Sequence, residues 1–283
     1  MADAMEEDIA ASLRRIAEAL DRLAPPLAET PNFTGATTYR HDPATAAFLP
    51  AADFPLDLAL LAGVDEQKSR LLETLRRFAA SLPANHVLLW GARGVGKSSL
   101  AKAAFMNVAA TAPNLKLIEV DRDRVAALPN LFDVLRARPE RFVVLCDDLS
   151  FEEGAAAAKA LKSALEGGVG GPPANTLFVA TSNRRHLMPR RRDDTAGPMA
   201  AAEDAEEEVS VSDRFGVWIG FGPMSQDDYL MAVRGYAERF NLIAEGLDVR
   251  ALQWAKLRGS RSGRIAWQFI RQVAGEAEKP LPL

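Results

Sequence analysis

A single cysteine, Cys146, is all the thiol chemistry in this 283-residue chain. One thiol closes no internal disulfide, so cross-links cannot stand in for a core, and the composition suits a reducing compartment. Long apolar runs are missing as well. No stretch approaches the roughly 18–20 residues that a membrane-spanning helix needs. The first eight residues are acidic and lack the basic and apolar regions of a secretory leader. Charge of one sign is also absent: 34 Lys and Arg against 38 Asp and Glu give a formal net charge of −4. That balance provides no overall field for nucleic acid or an anionic membrane and leaves only local patches for such contacts. These absences predict a soluble, cytoplasmic protein without a membrane partner. What is present, 48% hydrophobic and 25% charged residues, is ordinary globular material, enough for one large or two modest domains.

Three regions follow from the pattern. Residues 1–60 read as an N-terminal helix and an irregular arm. Over 6–23, Ile9, Leu13, Ile16, Leu20 and Leu23 recur at spacings of four and three, an apolar helical stripe stopped by Pro25-Pro26. The stripe is too short for a coiled coil and suits docking on the chain's own core or on a partner. Residues 27–60 are rich in Pro, Thr and Ala, with Phe33, Tyr39, Phe48 and Phe54 as anchors for an irregular arm.

Residues 61–222 read as an alternating strand–helix core. A helix is expected over 65–80, strands at 86–90, 115–120, 142–146, 176–180 and 217–221, and helices at 98–110, 130–138 and 155–166. Short continuous apolar runs between helices predict a parallel sheet covered on both faces. Within this core, 188–212 runs from basic to small and polar to acidic with almost no large apolar residue, and a mobile surface insertion is expected there. Residues 223–283 read as helices at 226–240, 248–258 and 261–277, the first opened by Ser225 as N-cap with Asp227 and Asp228 in its first turn.

Chemistry concentrates in two places. Gly91-Ala92-Arg93-Gly94-Val95-Gly96-Lys97-Ser98 matches G-x-x-x-x-G-K-[ST], after a strand and at the opening of a helix. Such glycines let the loop curl so that successive backbone N–H groups, with the positive helix end, face phosphate oxygens. Gly91, Arg93, Gly94, Val95, Gly96, Lys97, Ser98 and Ser99 are the expected nucleotide cradle. Lys97 would reach the β- and γ-phosphates, and the Ser98 hydroxyl would bind Mg²⁺. The second place is Phe142-Val143-Val144-Leu145-Cys146-Asp147-Asp148, an apolar strand that delivers two carboxylates to the carboxyl edge of the sheet. Asp147 would hold the Mg²⁺ shell, and Asp148 would orient or deprotonate an attacking water. Cys146 reads as a small buried hydrophobe beside them.

Phosphate loop, Asp-Asp strand, a strand ending in Thr181-Ser182-Asn183, an arginine near the fifth strand and a helical tail together resemble an AAA-type P-loop ATPase. HVLLWGARGVGKSSL, FVVLCDDLSFEE, ATSNRRHL, SDRFGVW and GSRSGRIAWQFI more closely resemble one bacterial family, domain of unknown function 815, over about 55–275. Asp-Asp-Leu-Ser-Phe and Ser-Asp-Arg-Phe are also similar to the replication-initiator and helicase-loader branch. The resemblance implies an α/β fold: a three-layer αβα P-loop NTPase core on a five-stranded parallel sheet in the order 5-1-4-3-2, with a C-terminal helical lid. It implies that Asn183 is sensor 1 beside the γ-phosphate and that Arg214 is an arginine finger completing a neighbouring subunit's site. Arg264 is implied as sensor 2, with Arg261 as competitor, and Gly63 and Val64 as lining of the adenine pocket.

Each arginine also has a plainer reading: Arg214 as a surface ion pair, Arg264 as a solvated helix start. The run Arg184, Arg185, Arg190, Arg191 and Arg192 reads either as a contact for nucleic acid or a partner, or as a solvated loop clamping Glu203–Glu208. The chain departs from the family pattern twice. Asp147-Asp148 stands where most hydrolysing members carry Asp-Glu, which predicts slower hydrolysis. Residues 121–140 contain no aromatic-Gly pair, which disfavours threading of unfolded polypeptide.

The leading expectation is a Mg²⁺-dependent ATP hydrolase that forms homo-oligomers and remodels or positions a macromolecular partner, with an unknown protein client. The alternative is an ATP-gated binding module with little or no hydrolysis. A GTPase or small-molecule kinase is disfavoured, because no [NT]-K-x-D follows the fourth strand and 223–283 is short for an acceptor domain. The same shortness leaves no expected DNA-reading domain, so any nucleic-acid contact would not read sequence.

Overall fold

The run Phe142-Val143-Val144-Leu145-Cys146 is too short for a buried helix and rich enough in β-formers to be a strand. In the computed structural model it forms β5 (Arg141–Cys146), the middle strand of a seven-stranded sheet. The structure describes residues 12–19, 31–42, 44–54, 56–149, 155–166, 171–183 and 212–281. Strands β1 (Thr38–Asp42), β2 (Ala47–Pro50), β3 (Val87–Gly91), β4 (Leu115–Val120), β6 (Thr176–Ser182) and β7 (Val217–Phe221) complete the sheet, in the order β2-β1-β4-β5-β6-β3-β7. All neighbouring pairs are parallel except β1–β2. Val143 stands opposite Leu117 on β4 and Leu177 on β6, which fixes the register at the centre.

The five-stranded parallel sheet in the order 5-1-4-3-2 is therefore corrected to a larger, mixed sheet, and the irregular arm to a region containing two strands. The five strands read from apolar runs stand side by side as β7-β3-β6-β5-β4, and β1 and β2 extend the sheet beyond β4. Thr38–Asp42 reads Thr-Tyr-Arg-His-Asp, and so polar a strand gives no apolar run. Asp42 closes the turn to β2, accepting from Ala44 N at 3.0 Å and Thr45 Oγ1 at 3.0 Å. Aromatic burial holds the extension down. Phe33 and Tyr39 are buried, and the Phe33 ring meets Tyr39, Phe48 and Phe142 edge-on at centroid distances of 5.1, 5.0 and 4.8 Å.

Helix α1 (12–19) belongs to a compact unit of its own, 1–32, whereas 33–283 forms the second. Within α1, Leu13 and Ile16 are 60% and 55% exposed. Ile9, Leu20 and Leu23 of the expected stripe lie outside the described residues, as do the arginine run 184–192 and the insertion 188–212 except for Ser212.

Alternation along the strands sorts side chains into two layers. Leu88, Ile118, Val144 and Phe178 face α4 (Leu128–Arg136) and α5 (Ala155–Leu165), where Leu131, Phe132, Leu135 and Leu161 are buried. Leu89, Leu117, Val143 and Val179 face α2 (Asp65–Ala79) and α3 (Lys97–Ala109), meeting Leu71, Leu75, Leu100 and Phe105. A third cluster joins α6 (Gln226–Arg239), α7 (Leu247–Leu257) and α8 (Gly263–Glu276) through Tyr229, Val233, Ala251, Phe269 and Ile270. The stretch 56–64 connects the layers: Leu56 and Leu58 pack on the sheet core, and Leu56, Leu60 and Ala62 on the helical cluster.

Candidate nucleotide site

β3 ends at Gly91 and α3 starts at Lys97, so the glycine-rich loop lies at the carboxyl edge of the sheet. Val95 is buried against the core and anchors the loop from beneath. Gly94 has a φ of +78°, and a Cβ there would stand 3.0 Å from Ser262 Oγ at the start of α8, so both backbone and neighbour call for glycine. Lys97 is 6% exposed. Its ammonium donates to Gly91 O at 2.8 Å, Ala92 O at 2.7 Å and Asn183 Oδ1 at 3.0 Å. Burial lowers its pKa, Asp148 and Asp147 oppose that shift, and Arg93 and Arg264 add to it. Arg93 is exposed and Ser99 half-buried on the same loop and first helical turn.

The two carboxylates after β5 diverge. Asp147 Oδ1 accepts from both Ser98 Oγ and Thr181 Oγ1. Asp148 turns back through a left-handed backbone, φ +54°, held by its N–H on Thr181 Oγ1 at 2.9 Å and by Leu149 N–H on Thr181 O at 2.7 Å. Such a conformation is tolerated best by Gly, Asn and Asp, and at a site it marks a placement imposed by the surroundings. Asn183 Nδ2 donates to Asp148 Oδ1, and Arg122 Nη1 donates to Asp148 Oδ2 at 2.9 Å. Asn183 thus links Lys97 to Asp148. Cys146 is buried, and burial raises its thiol pKa, so it is inert packing beside the site.

Sequence reasoning missed two residues here. Thr181 was visible only as part of a strand end, with no role attached. Arg122 lies in Asp121-Arg122-Asp123-Arg124 directly after β4, and charged residues at the carboxyl end of a central parallel strand were the available signal.

Ser98 and Asp147 supply a hydroxyl and a carboxylate oxygen to one point, next to Lys97. That hard-oxygen pair fits Mg²⁺, which is commonly held by one or two carboxylates plus substrate phosphates. Among the described residues no cluster of three or more His, Cys, Asp or Glu forms an all-protein metal cage.

The remaining expected residues approach from the helical cluster and from the stretch before α2. Arg264 N–H reaches Gly94 O at 3.3 Å, so of the two sensor-2 candidates Arg264 is the one whose backbone is bonded to the loop. Gly63 has φ +71°, and a Cβ there would overlap Asp228 Cγ at 2.5 Å; Val64 beside it is buried. Leu61 lies 3.7 Å from where a Gly96 Cβ would be. Arg214 is elsewhere: its side chain, 38% exposed, pairs with Glu166 at the end of α5. No hydrogen bond or ion pair joins it to Lys97, Asp147 or Asp148.

The fold has solved counterparts. Thermotoga maritima RuvB, the Holliday junction branch migration motor, is 18% identical, with a TM-score of 0.53, covering 80% of this chain and 67% of that one. The Aeropyrum pernix Orc1 protein, solved in complex with DNA, is 16% identical, with a TM-score of 0.57, covering 78% of this chain and 63% of that one. The chain thus spans about two-thirds of the length of either, and the likeness is one of fold. No curated protein matches it in sequence. One family model does, over residues 34–277: the chain belongs to the family described as a protein of unknown function, DUF815.

Proposed function

We propose that this protein is a Mg²⁺-dependent AAA-type ATPase that oligomerises and remodels or positions a macromolecular partner in the cytoplasm. One observation carries the reading: Lys97, Asn183, Asp148, Asp147 and Ser98, with Thr181 bridging the two aspartates, form a continuous hydrogen-bonded set around the phosphate loop, although they come from three separate strand ends. In this proposal the loop amides and Lys97 bind the β- and γ-phosphates, and Arg264 closes the helical lid onto them. Gly63 and Val64 receive the base. Ser98 and Asp147 would hold Mg²⁺, which would supply positive charge against the negative charge developing on the phosphate. Asp148 and Asn183 place the water for in-line attack, and Asp148 accepts its proton. Arg214 serves the neighbouring subunit, exchanging Glu166 for the transferring phosphoryl group.

The partner is a protein client or nucleic acid bound without sequence reading; a branch-migration motor and a DNA-bound protein share the fold. Phe132, the lone aromatic of 121–140, is buried in the core, in keeping with a motor that does not thread polypeptide. Lys97→Ala is the direct test. The account expects loss of ATP binding and of turnover with the fold intact by circular dichroism; ATPase activity that survives the substitution belongs to another site.

A second reading, an ATP-gated binding module with slow hydrolysis, is favoured by the double engagement of Asp148 with Arg122 and Asn183. Asp148→Asn separates them: a switch keeps its ATP-dependent partner binding at unchanged, low turnover, whereas a hydrolase loses its turnover.

A further inference from the structure

Beside the nucleotide site, the carboxyl edge of the sheet contains a cavity of about 540 Å³, in the size range of small-molecule sites. Its walls come from three strand ends: Arg40 and His41 of β1, Arg122 and Arg124 after β4, and Asp148 after β5. Open α/β sheets bind ligands along this edge, and β1, one of the two strands beyond the core five, supplies one wall here.

The carboxylates around the cavity are engaged within the fold. Asp42 closes the β1–β2 turn, Asp121 accepts from Asp123 N at 3.1 Å, and Glu119 accepts from Lys102 at 2.9 Å. Asp147 receives Ser98 and Thr181. The cations are not matched in the same way. Among the described residues, the Arg40 and Arg124 side chains have no hydrogen bond or ion pair, although Arg124 is near enough to add to the Ala44 and Thr45 bonds in holding the Asp42 carboxyl's pKa down. Arg122 reaches Asp148 at 2.9 Å and Asp123 at 3.7 Å. Burial lowers the pKa of His41, which adds a neutral N–H rather than charge. Guanidiniums facing a pocket whose acids are already bonded match a ligand with several oxyanion groups, which they can hold bidentately.

We propose that this cavity is a second anion site, which takes a small polyphosphate- or polycarboxylate-type oxyanion through Arg40 and Arg124 and shares Arg122 with Asp148. The site stands independently of the ATPase reading. Only its consequence for turnover rests on that reading: a ligand that draws Arg122 away would leave Asp148 Oδ2 open to an attacking water.

Isothermal titration calorimetry in metal-free buffer tests the site, with pyrophosphate and citrate as separate probes and Lys97→Ala as the full-length background, so that the phosphate loop lacks its ammonium. At least one probe is expected to bind, and which one identifies the phosphoryl or carboxylate source. Arg40→Ala and Arg124→Ala should each weaken that binding at least about tenfold at unchanged thermal stability. No binding of either probe, or affinity unmoved by both arginine substitutions, overturns the site. Asp148→Asn should tighten binding several-fold, and the gain should vanish when Arg122→Ala is added; a gain that persists reflects simple charge repulsion and overturns the sharing of Arg122. ATP binding by the wild-type chain, measured in parallel, reports on the ATPase reading separately.

Discussion

Lys97 has three ammonium hydrogens, and three oxygens receive them: Gly91 O, Ala92 O and Asn183 Oδ1. A nucleotide phosphate that displaced Asn183 Oδ1 from Lys97 would open that oxygen to water while Asn183 Nδ2 stayed on Asp148. Asp148 faces a similar competition, because the Arg122 guanidinium occupies a carboxylate lone pair that a water would use. Arg122→Ala should therefore raise steady-state ATP turnover, by roughly several-fold. A fall in turnover would show instead that Arg122 assists the reaction. His86 gives a prediction independent of function. Burial lowers its pKa from 6.5 to about 4, and its Nδ1 accepts from Phe178 N at 3.1 Å, so the folded protein holds it neutral. The unfolded chain takes up a proton below pH 6.5 and the folded chain only near 4, so stability falls as pH drops through that window. The loss approaches roughly 3 kcal/mol at the acid end. Urea titrations of wild type and His86→Asn between these pH values check it: the variant should lose most of this pH dependence.

Ser262 is the N-cap of α8, its Oγ accepting from Ile265 N at 3.3 Å, and it also sits against Gly94 of the phosphate loop. Ser262→Ala should cost about 1 kcal/mol, seen as a lowered melting temperature. It should also weaken ATP binding several-fold through the displaced Arg264, which calorimetric titration reads; unchanged affinity would detach α8 from the site. At this scale the sequence was legible where one physical signal dominated. The five strands β3 to β7 read as apolar runs, and Ser225 announced α6 through its cap, its Oγ accepting from Asp228 N at 3.0 Å. β1 and β2 were illegible, because strands near a sheet's margin are held by backbone pairing more than by apolar side chains, and Arg40 opposite Glu119 leaves no apolar pattern. Phe33 and Tyr39 signalled anchoring, and their register against β4 existed only in three dimensions. The phosphate loop and both aspartates were readable as local motifs. Arg122 was not, because its partner, Asp148, is 26 positions away on a different strand.

The sheet with its two helical layers and the cluster of α6, α7 and α8 meet along 56–64, whose leucines belong to both cores. Nucleotide bound beside Gly63 and Arg264 would therefore touch both bodies at once, which suits a protein whose lid position reports nucleotide state. Within its own chain Arg214 is engaged with Glu166, so under the proposed function its guanidinium serves a neighbouring subunit's phosphoryl group. An arginine supplied in trans is worth about 10³–10⁵ in rate. Arg214→Ala in the assembled protein should therefore collapse turnover by about three orders of magnitude or more and leave ATP affinity within about twofold. The measurement that tests the account most directly is ATP turnover per subunit as a function of protein concentration, with Lys97→Ala as the blank. A shared site predicts turnover that rises steeply as subunits assemble, then levels off. Turnover above the blank that stays constant per subunit, from dilute monomer to assembled protein, would contradict it.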